Sequence, residues 1–136
     1  MRRASERLAG LGLSLPAVPV PVAAYLPATR FEDLIFTSGQ LPTVDGALLA
    51  TGRVGAEVSP EEAYACARTA ALNGLAAVAD HAGDLDVITR VIKVVVFVAS
   101  APGFTATGRR AGGLAAFPNT AASIPARNTE SCPTGE

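Results

Sequence analysis

Runs of apolar residues and the breaks between them divide the first 104 residues into a strand-rich start, one long helix and a second strand region. Apolar runs at 22–29 and 34–38 predict two strands, and the second run is apolar enough to predict burial on both faces. The Asp45-Gly46 pair is typical of a hairpin turn, with residues 47–51 as the returning strand. The β-branched run at 87–100 predicts another strand buried on both faces.

The clearest local signal in the chain is the start of the helix. Ser59 can accept a hydrogen bond from the backbone N–H of Glu62, whose side chain can reach back in turn, which makes a capping box. Pro60 occupies the first helical position, where its missing N–H costs nothing. The helix is expected to run to about His81 and to stop at Gly83 in a left-handed conformation.

This order of elements predicts one domain over residues 1–136, because the chain is short enough for a single core. Strands on both sides of a helix are typical of an α+β protein, with helices on one face of a mixed β-sheet. The helix is rich in alanine, and small side chains allow it to lie close to the sheet. The pattern therefore predicts a helix packed on one face of a mixed sheet.

Charge and cysteine usage exclude some classes of function. A net charge of −1 gives no positive electrostatic field that would attract nucleic acid. Binding of nucleic acid usually requires a basic patch or a pI above about 9. No stretch approaches the ~20 apolar residues of a membrane span, so we expect a cytoplasmic protein with no membrane or nucleic-acid partner. Cys66 and Cys132 have no metal-ligand spacing, no metal is expected, and Cys66 is expected to be a small core residue.

Four segments follow one another in a recognisable order: Tyr25–Arg30, the sequence IFTSGQLP at 35–42, the capped helix, and Val94–Phe104. This order resembles the RidA family (YjgF/YER057c/UK114) in its longer branch, and the resemblance covers about residues 4–104. It implies a chorismate-mutase-like fold. It also implies a homotrimer whose sites lie between subunits.

The resemblance further implies a reaction. Members of this family hydrolyse reactive 2-imino or 2-enamino acids, such as 2-iminobutanoate, to 2-oxo acids and ammonia. In the family, an arginine binds the substrate carboxylate through two parallel hydrogen bonds. A positioned water then attacks the C=N carbon. No metal or organic cofactor is required, since an iminium carbon is already electrophilic. The endoribonuclease label attached to the family fits poorly, because this chain has one histidine and no basic groove.

The resemblance can be carried over to five residues of this chain. Tyr25 matches the family's tyrosine, which could hydrogen-bond substrate or water, although an aromatic packed at a strand end is an equal alternative. Gly39 matches the glycine beside the pocket. Its neighbours Ser38 and Gln40 are candidate substrate-binding residues, although residues of these types more often serve backbone hydrogen bonds. Arg127, in the sequence IPAR, is the candidate for the carboxylate-binding arginine, or else a chance arginine in an arginine-rich tail.

The tail at 105–136 departs from the family pattern, and no valine follows Val98. One hypothesis is a shift of the coding frame shortly after Phe104; the other is a divergent but real C-terminus. We therefore expect deaminase activity to be weak or absent in this chain. The alternative function is that of a non-catalytic trimer that binds small metabolites in the same clefts.

Overall fold

The computed structural model describes residues 3–18 and 24–105 together with the backbone of residues 122–123. Two α-helices, a short 3-10 turn at Leu85–Val87 and six strands alternate along this part of the chain. The elements are α1 (Ala4–Gly10), β1 (Ala28–Phe31), β2 (Leu34–Thr37), β3 (Thr43–Val44), β4 (Ala47–Leu48), α2 (Pro60–Ala82), β5 (Val96–Phe97) and β6 (Ala122–Ser123). The α+β class is confirmed.

The long helix α2 begins and ends as the sequence predicts. The Glu62 N–H donates to Ser59 Oγ at 3.2 Å, and the Ser59 N–H donates to Glu62 Oε2 at 2.8 Å. Pro60 is the first helical residue, and Gly83 ends the helix with φ +82°. The capping box satisfies two of the N–H groups that every helix start leaves unpaired. Both signals are local, and both predictions are confirmed.

The described strands form three two-stranded sheets, of which two are antiparallel and one is parallel. Strands β1 and β2 form an antiparallel ribbon, in which Thr29 faces Phe36 and Phe31 faces Leu34. Strands β3 and β4 form the predicted hairpin. Its turn residues Asp45 and Gly46 have φ +51° and +81°, as a type I′ turn requires. Helix α2 packs against β1, β2, β3 and β6.

The predicted extents of three strands are wrong. Residues 24–27 precede the first strand, which begins at Ala28, and the returning strand of the hairpin covers two residues instead of 47–51; residues 19–23 lie outside the described part. The run at 87–100 contributes Val96–Phe97 to a strand, and Phe97 is 65% exposed. An apolar, β-branched sequence favours an extended chain, but a ladder also requires a neighbouring strand to pair with.

The prediction that residues 34–38 are buried on both faces is also wrong within this chain. Strand β2 alternates between exposed and half-buried positions, so that one of its faces is open. Phe31 and Phe36 lie on that open face of the ribbon and are 66% and 54% exposed. Hydrophobicity alone does not say whether the covering layer belongs to the same chain, and here the described residues provide none.

The described core is built mainly from small side chains. The buried positions of α2 include alanines, a glycine, Cys66 and Asn73, so the predicted burial of Cys66 is confirmed. Burial also raises the pKa of the Cys66 thiol. A second cluster consists of Val54, Val58 and Ala63, with Phe104 packed against it. Small residues on α2 bring the helix backbone close to the strands, which is the packing that the alanine-rich sequence predicted.

Candidate functional site

A cavity of about 560 Å³ lies against α2, a volume within the ~300–1,000 Å³ usual for small-molecule sites. Its walls come from the N-terminal segment before residue 19, the stretch around Tyr25, the β3–β4 hairpin and one face of α2. The lining residues are Ser14, Pro16, Ala17, Val18, Tyr25, Pro27, Gly39, Gln40, Leu41, Thr43, Val44, Asp45, Gly46, Thr69, Leu72 and Asn73.

The structure brings together three of the five residues that the sequence nominated. Tyr25, Gly39 and Gln40 all line this cavity. Gln40 is buried, and its Nε2 donates to the Ser38 carbonyl at 3.3 Å. Tyr25 is 43% exposed, and its side chain forms part of the cavity wall. The grouping places an aromatic hydroxyl, an amide and a glycine around one space.

The fourth nominated residue, Ser38, serves the backbone rather than the cavity. Ser38 is not among the lining residues; its backbone N–H and its Oγ both donate to the Pro27 carbonyl, at 3.0 and 3.2 Å. These bonds continue the β1–β2 pairing by one step, so Ser38 serves the backbone here. Arg127 lies outside the described residues.

Gly39 is open towards the space around it. A Cβ built on Gly39 would meet nothing within 4 Å, and its φ is not in the left-handed region. Neither the backbone conformation nor the surrounding atoms of this chain therefore require a glycine here. The remaining explanation for a glycine here is that the absent side chain leaves room for a ligand or for another chain.

Sequence reasoning missed the residue that organises the cavity wall. Asn73, 1% exposed on α2, donates from its Nδ2 to the carbonyls of Leu41 and Thr43, each at 3.0 Å. These bonds fix the segment after Gln40 onto the helix, and a buried amide must find such partners to be tolerated. The signal was an asparagine on an otherwise apolar and alanine-rich helix face.

The electrostatics of the described wall are simple. Asp45, exposed on the hairpin turn, is the one charged residue among the described lining residues. Carboxyl groups with a lowered pKa lie elsewhere: hydrogen bonds from the backbone and side chain of Ser59 lower the pKa of Glu62, and those of Arg53 and Glu57 backbone groups lower the pKa of Glu57. These shifts belong to a helix cap and a turn.

The described residues hold neither a metal-ligand cluster nor a membrane-spanning helix. Within residues 3–18 and 24–105, no three or more His, Cys, Asp or Glu side chains come together as metal ligands would. Neither described helix combines the length and the apolar character needed to cross a bilayer. The cavity is thus lined by apolar groups, amides and hydroxyls with one carboxylate, a set that can orient a small polar molecule.

The architecture and the cavity define a chorismate-mutase-like α+β protein, and comparison with known families agrees. The sequence profile of the YjgF/chorismate mutase-like family, whose description adds "putative endoribonuclease", matches residues 5–101. The chain therefore belongs to the YjgF/chorismate mutase-like family. The matched residues include Tyr25, Gly39, Gln40 and the whole of α2, and the match ends close to the point where the sequence pattern changes.

Similar proteins come from three organisms. Protein TCP17 of Trypanosoma cruzi is 38% identical over 103 residues, which are 76% of this chain and 64% of that protein; this chain thus spans less than two thirds of its length. A crystal structure of a "putative endoribonuclease" from Shewanella oneidensis has a TM-score of 0.77 at 26% identity, covering 91% of this chain and 89% of that one. A protein of unknown function from Agrobacterium tumefaciens has a TM-score of 0.70 at 34% identity, with coverage of 88% and 78%.

Proposed function

We propose that this protein is a homotrimeric, RidA-like deaminase that hydrolyses small 2-imino or 2-enamino acids to 2-oxo acids and ammonia, with weak turnover. The observation that carries the proposal is the meeting of Tyr25, Gly39 and Gln40 in one cavity of a family member. These residues are the ones that the motif comparison assigns to substrate handling. The cytoplasmic location stays a prediction from the sequence.

The roles of the cavity groups follow from their chemistry. A substrate carbon–nitrogen double bond held beside Tyr25 would be within reach of a water hydrogen-bonded to the phenol, and orientation of that water is the main contribution an enzyme can make to this reaction. The apolar wall around Leu72 and Val44 suits a short aliphatic side chain. Arg127 is the proposed partner of the substrate carboxylate.

Assembly into a trimer is proposed from the open apolar face of the β1–β2 ribbon. Phe31, Leu34 and Phe36 stand on this face, and all three are exposed. Aromatic side chains bury about 150–250 Å² each when they are covered, and exposed apolar patches mark interaction sites. Another copy of the chain is the partner that the family resemblance implies.

The activity is tested with an imine generated in situ by an amino-acid oxidase, while release of the 2-oxo acid is followed. We expect faster release with the protein than without it. Tyr25→Phe, which deletes one hydroxyl from the cavity, should reduce the gain by about tenfold or more, as loss of a proton-handling or positioning group typically does. Tyr64→Phe is the matched control, because Tyr64 lies on α2 outside the cavity lining, beside Arg68. Equal rates with and without wild-type protein would refute the proposal.

Arg127→Ala provides a second arm of the same assay, with Arg90→Ala as a control at an exposed position. If Arg127 holds the substrate carboxylate, its loss should raise KM and lower kcat/KM. A fully active Arg127→Ala enzyme would remove Arg127 from the mechanism. It would also leave the carboxylate to be held by other groups.

A second candidate function is non-catalytic binding of small metabolites in the same cavity. It is favoured by the described wall, in which the one charged residue is the acidic Asp45 and no cation faces the ligand. A binder predicts thermal stabilisation by 2-oxo acids or amines that grows with ligand concentration over Kd, with no turnover of the imine. Turnover that depends on Tyr25 would exclude this alternative.

Ribonuclease activity remains a poor fit to the sequence. The endoribonuclease description belongs to the family profile and to the Shewanella protein. In this chain the net charge is −1 and His81 is the single histidine. RNA binding normally requires a basic surface and stacking aromatic side chains.

A further inference from the structure

We propose that the N-terminal arm, residues 3–18, is the specificity-determining outer wall of the cavity, held in place by a clamp between Ser5 and Asp86. The arm restricts the site to ligands with short side chains. The choice of 2-oxo acids as test ligands rests on the proposed function. The role of the arm as a wall of the cavity does not.

The clamp consists of two short hydrogen bonds between residues far apart in the sequence. The Ser5 N–H donates to Asp86 Oδ1 at 2.8 Å, and the Ser5 hydroxyl donates to Asp86 Oδ2 at 2.6 Å. One carboxylate thus receives both polar hydrogens that Ser5 offers. Hydrogen bonds to an ionised acceptor are stronger than neutral ones, and these lower the pKa of Asp86.

The acceptor is itself held in place. The Asp86 N–H donates to Asp84 Oδ1 at 2.9 Å, which caps the 3-10 turn that follows α2. Helix α1 packs against this turn, and Leu8 and Leu85 are both buried. The arm is therefore held against this turn by the packing of α1 as well as by the clamp, and the turn in turn contacts α2.

Gly12 then turns the chain towards the cavity. The Leu13 N–H donates to the Leu8 carbonyl at 3.1 Å and the Gly12 N–H donates to the Ala9 carbonyl at 2.9 Å. Gly12 has φ +69°. This combination is a Schellman motif, which ends a helix and redirects the chain. The residues that follow, Ser14 and Pro16–Val18, line the cavity.

Without the arm, the remaining lining residues would form an open groove between the β3–β4 hairpin and α2. The arm closes that groove on one side with small and rigid side chains, since Pro16 fixes its own φ and restricts the residue before it. A wall of backbone and short side chains sets a limit on ligand length without contributing chemistry. Its effect should thus be on selectivity rather than on the reaction itself.

The first test measures ligand selectivity by calorimetry with 2-oxobutanoate and 2-oxooctanoate. In wild type we expect the short acid to bind at least about tenfold more tightly, a ratio that steric exclusion in an apolar pocket can produce. Asp86→Ala removes both clamp bonds, and Leu8→Ala/Asp86→Ala also removes the buried anchor. Both variants should bring the ratio close to one. Asp80→Ala, an exposed aspartate on α2 outside the cavity lining, is the matched control and should keep the wild-type ratio.

A second test needs no ligand. Thr69 lines the cavity from α2 and is half-buried, so Thr69→Cys places a thiol on the α2 wall of the cavity. Its alkylation by iodoacetamide and by a bulky pyrene maleimide is followed by peptide mass spectrometry. Adding Asp86→Ala, or Leu8→Ala/Asp86→Ala, should raise the rate with the bulky reagent severalfold and change the rate with iodoacetamide little.

The two tests separate the failure of the wall from the failure of the proposed function. Unchanged labelling by the bulky reagent in both clamp variants would overturn the proposal, whatever the ligand is. If neither 2-oxo acid binds but the clamp variants are alkylated faster, the role of the arm as a wall is supported and the proposed ligand class is wrong. If both acids bind wild type equally well, the arm does not limit ligand length and the proposal is overturned.

Discussion

The inward face of α2 and the outer face of the β1–β2 ribbon are both apolar, but they are built from different side chains and only the first is covered. The helix buries alanines, a glycine, a cysteine and Asn73. The ribbon leaves Phe31, Leu34 and Phe36 in the open. Within the described residues, most large apolar side chains thus lie outside the core.

This difference indicates how the stabilising surface is divided between folding and assembly. Burial of apolar area stabilises by about 25 cal/mol per Å², and alanine offers little such area. The monomer therefore depends on close backbone packing, on helix caps and on the amide of Asn73. The ribbon holds apolar area that can be buried only against something else, which we propose is another copy of the chain.

The largest expected effect is loss of assembly when the ribbon face becomes polar. Phe36→Asp places a carboxylate among the exposed apolar side chains, and an unpaired charge is very costly to bury at an interface. Light scattering should then report a monomer. Val87→Asp is the control, since Val87 is an exposed apolar residue on the 3-10 turn, outside the ribbon. Assembly of Phe36→Asp like that of wild type would mean that the ribbon face is not the interface.

The next largest effect is expected on the buried face of α2. Asn73→Ala leaves the carbonyls of Leu41 and Thr43 without their donor, which should lower the free energy of unfolding by about 2–3 kcal/mol, because a buried acceptor that loses its partner costs ~1–3 kcal/mol. Urea unfolding measures this change. Asp80→Ala on the exposed side of the same helix should change stability by less than about 0.5 kcal/mol. Equal stability of the two variants would contradict the role given to Asn73.

A smaller loss of stability is expected at Gly55, where the side chain of Phe104 packs tightly against a turn of the chain. Gly55 has φ +89°, and a Cβ there would lie 2.7 Å from Cδ2 of Phe104. Gly55→Ala combines backbone strain with a clash, and should destabilise by about 2 kcal/mol. At Gly10 a Cβ would meet nothing within 4 Å, so Gly10→Ala should be neutral or stabilising. Thermal unfolding of the two variants side by side distinguishes them.

The smallest effect concerns the helix cap and depends on pH. The Ser59 backbone and side-chain bonds hold the pKa of Glu62 below its ordinary value of 4.5. A carboxyl with a lowered pKa in the folded state contributes stability above its unfolded pKa, and loses that contribution as the pH falls through the folded value. Glu62→Gln should therefore flatten the loss of stability below pH 4.5.

Glu61→Gln is the control for this pH dependence, since Glu61 occupies the same first turn and its side chain takes no part in the capping box. Stability measured by urea unfolding between neutral and acidic pH should keep the wild-type acid dependence in Glu61→Gln. Identical acid profiles for Glu62→Gln and wild type would show that the cap carboxylate does not contribute.

The parts of the fold that could be predicted are those decided by neighbouring residues. Ser59 with Glu62 specified the start of α2, Gly83 its end, and Asp45-Gly46 the hairpin turn. Each depends on backbone groups within a few residues, so the sequence alone contains the whole interaction. The extents of the strands could not be predicted in this way, because a ladder is decided by a partner strand from a distant part of the chain.

The candidate site likewise contains residues that the sequence predicted and a residue that it missed. Tyr25, Gly39 and Gln40 were found through motif resemblance, and they share one cavity. Asn73 was missed because its partners are carbonyl groups about thirty residues away along the chain. Ser38 was nominated as a binding residue, yet its Oγ donates to a backbone carbonyl. The role of Arg127 stays a prediction, since that residue lies outside the described part of the chain.

We propose that the exposed apolar face of the ribbon is an interface between copies of this chain. The most direct test is the solution mass of the purified wild-type chain by light scattering over a range of concentrations. We expect a trimer, with three times the 13.8 kDa mass of one chain. A stable monomer of 13.8 kDa at all concentrations, with the ribbon open to solvent, would contradict it.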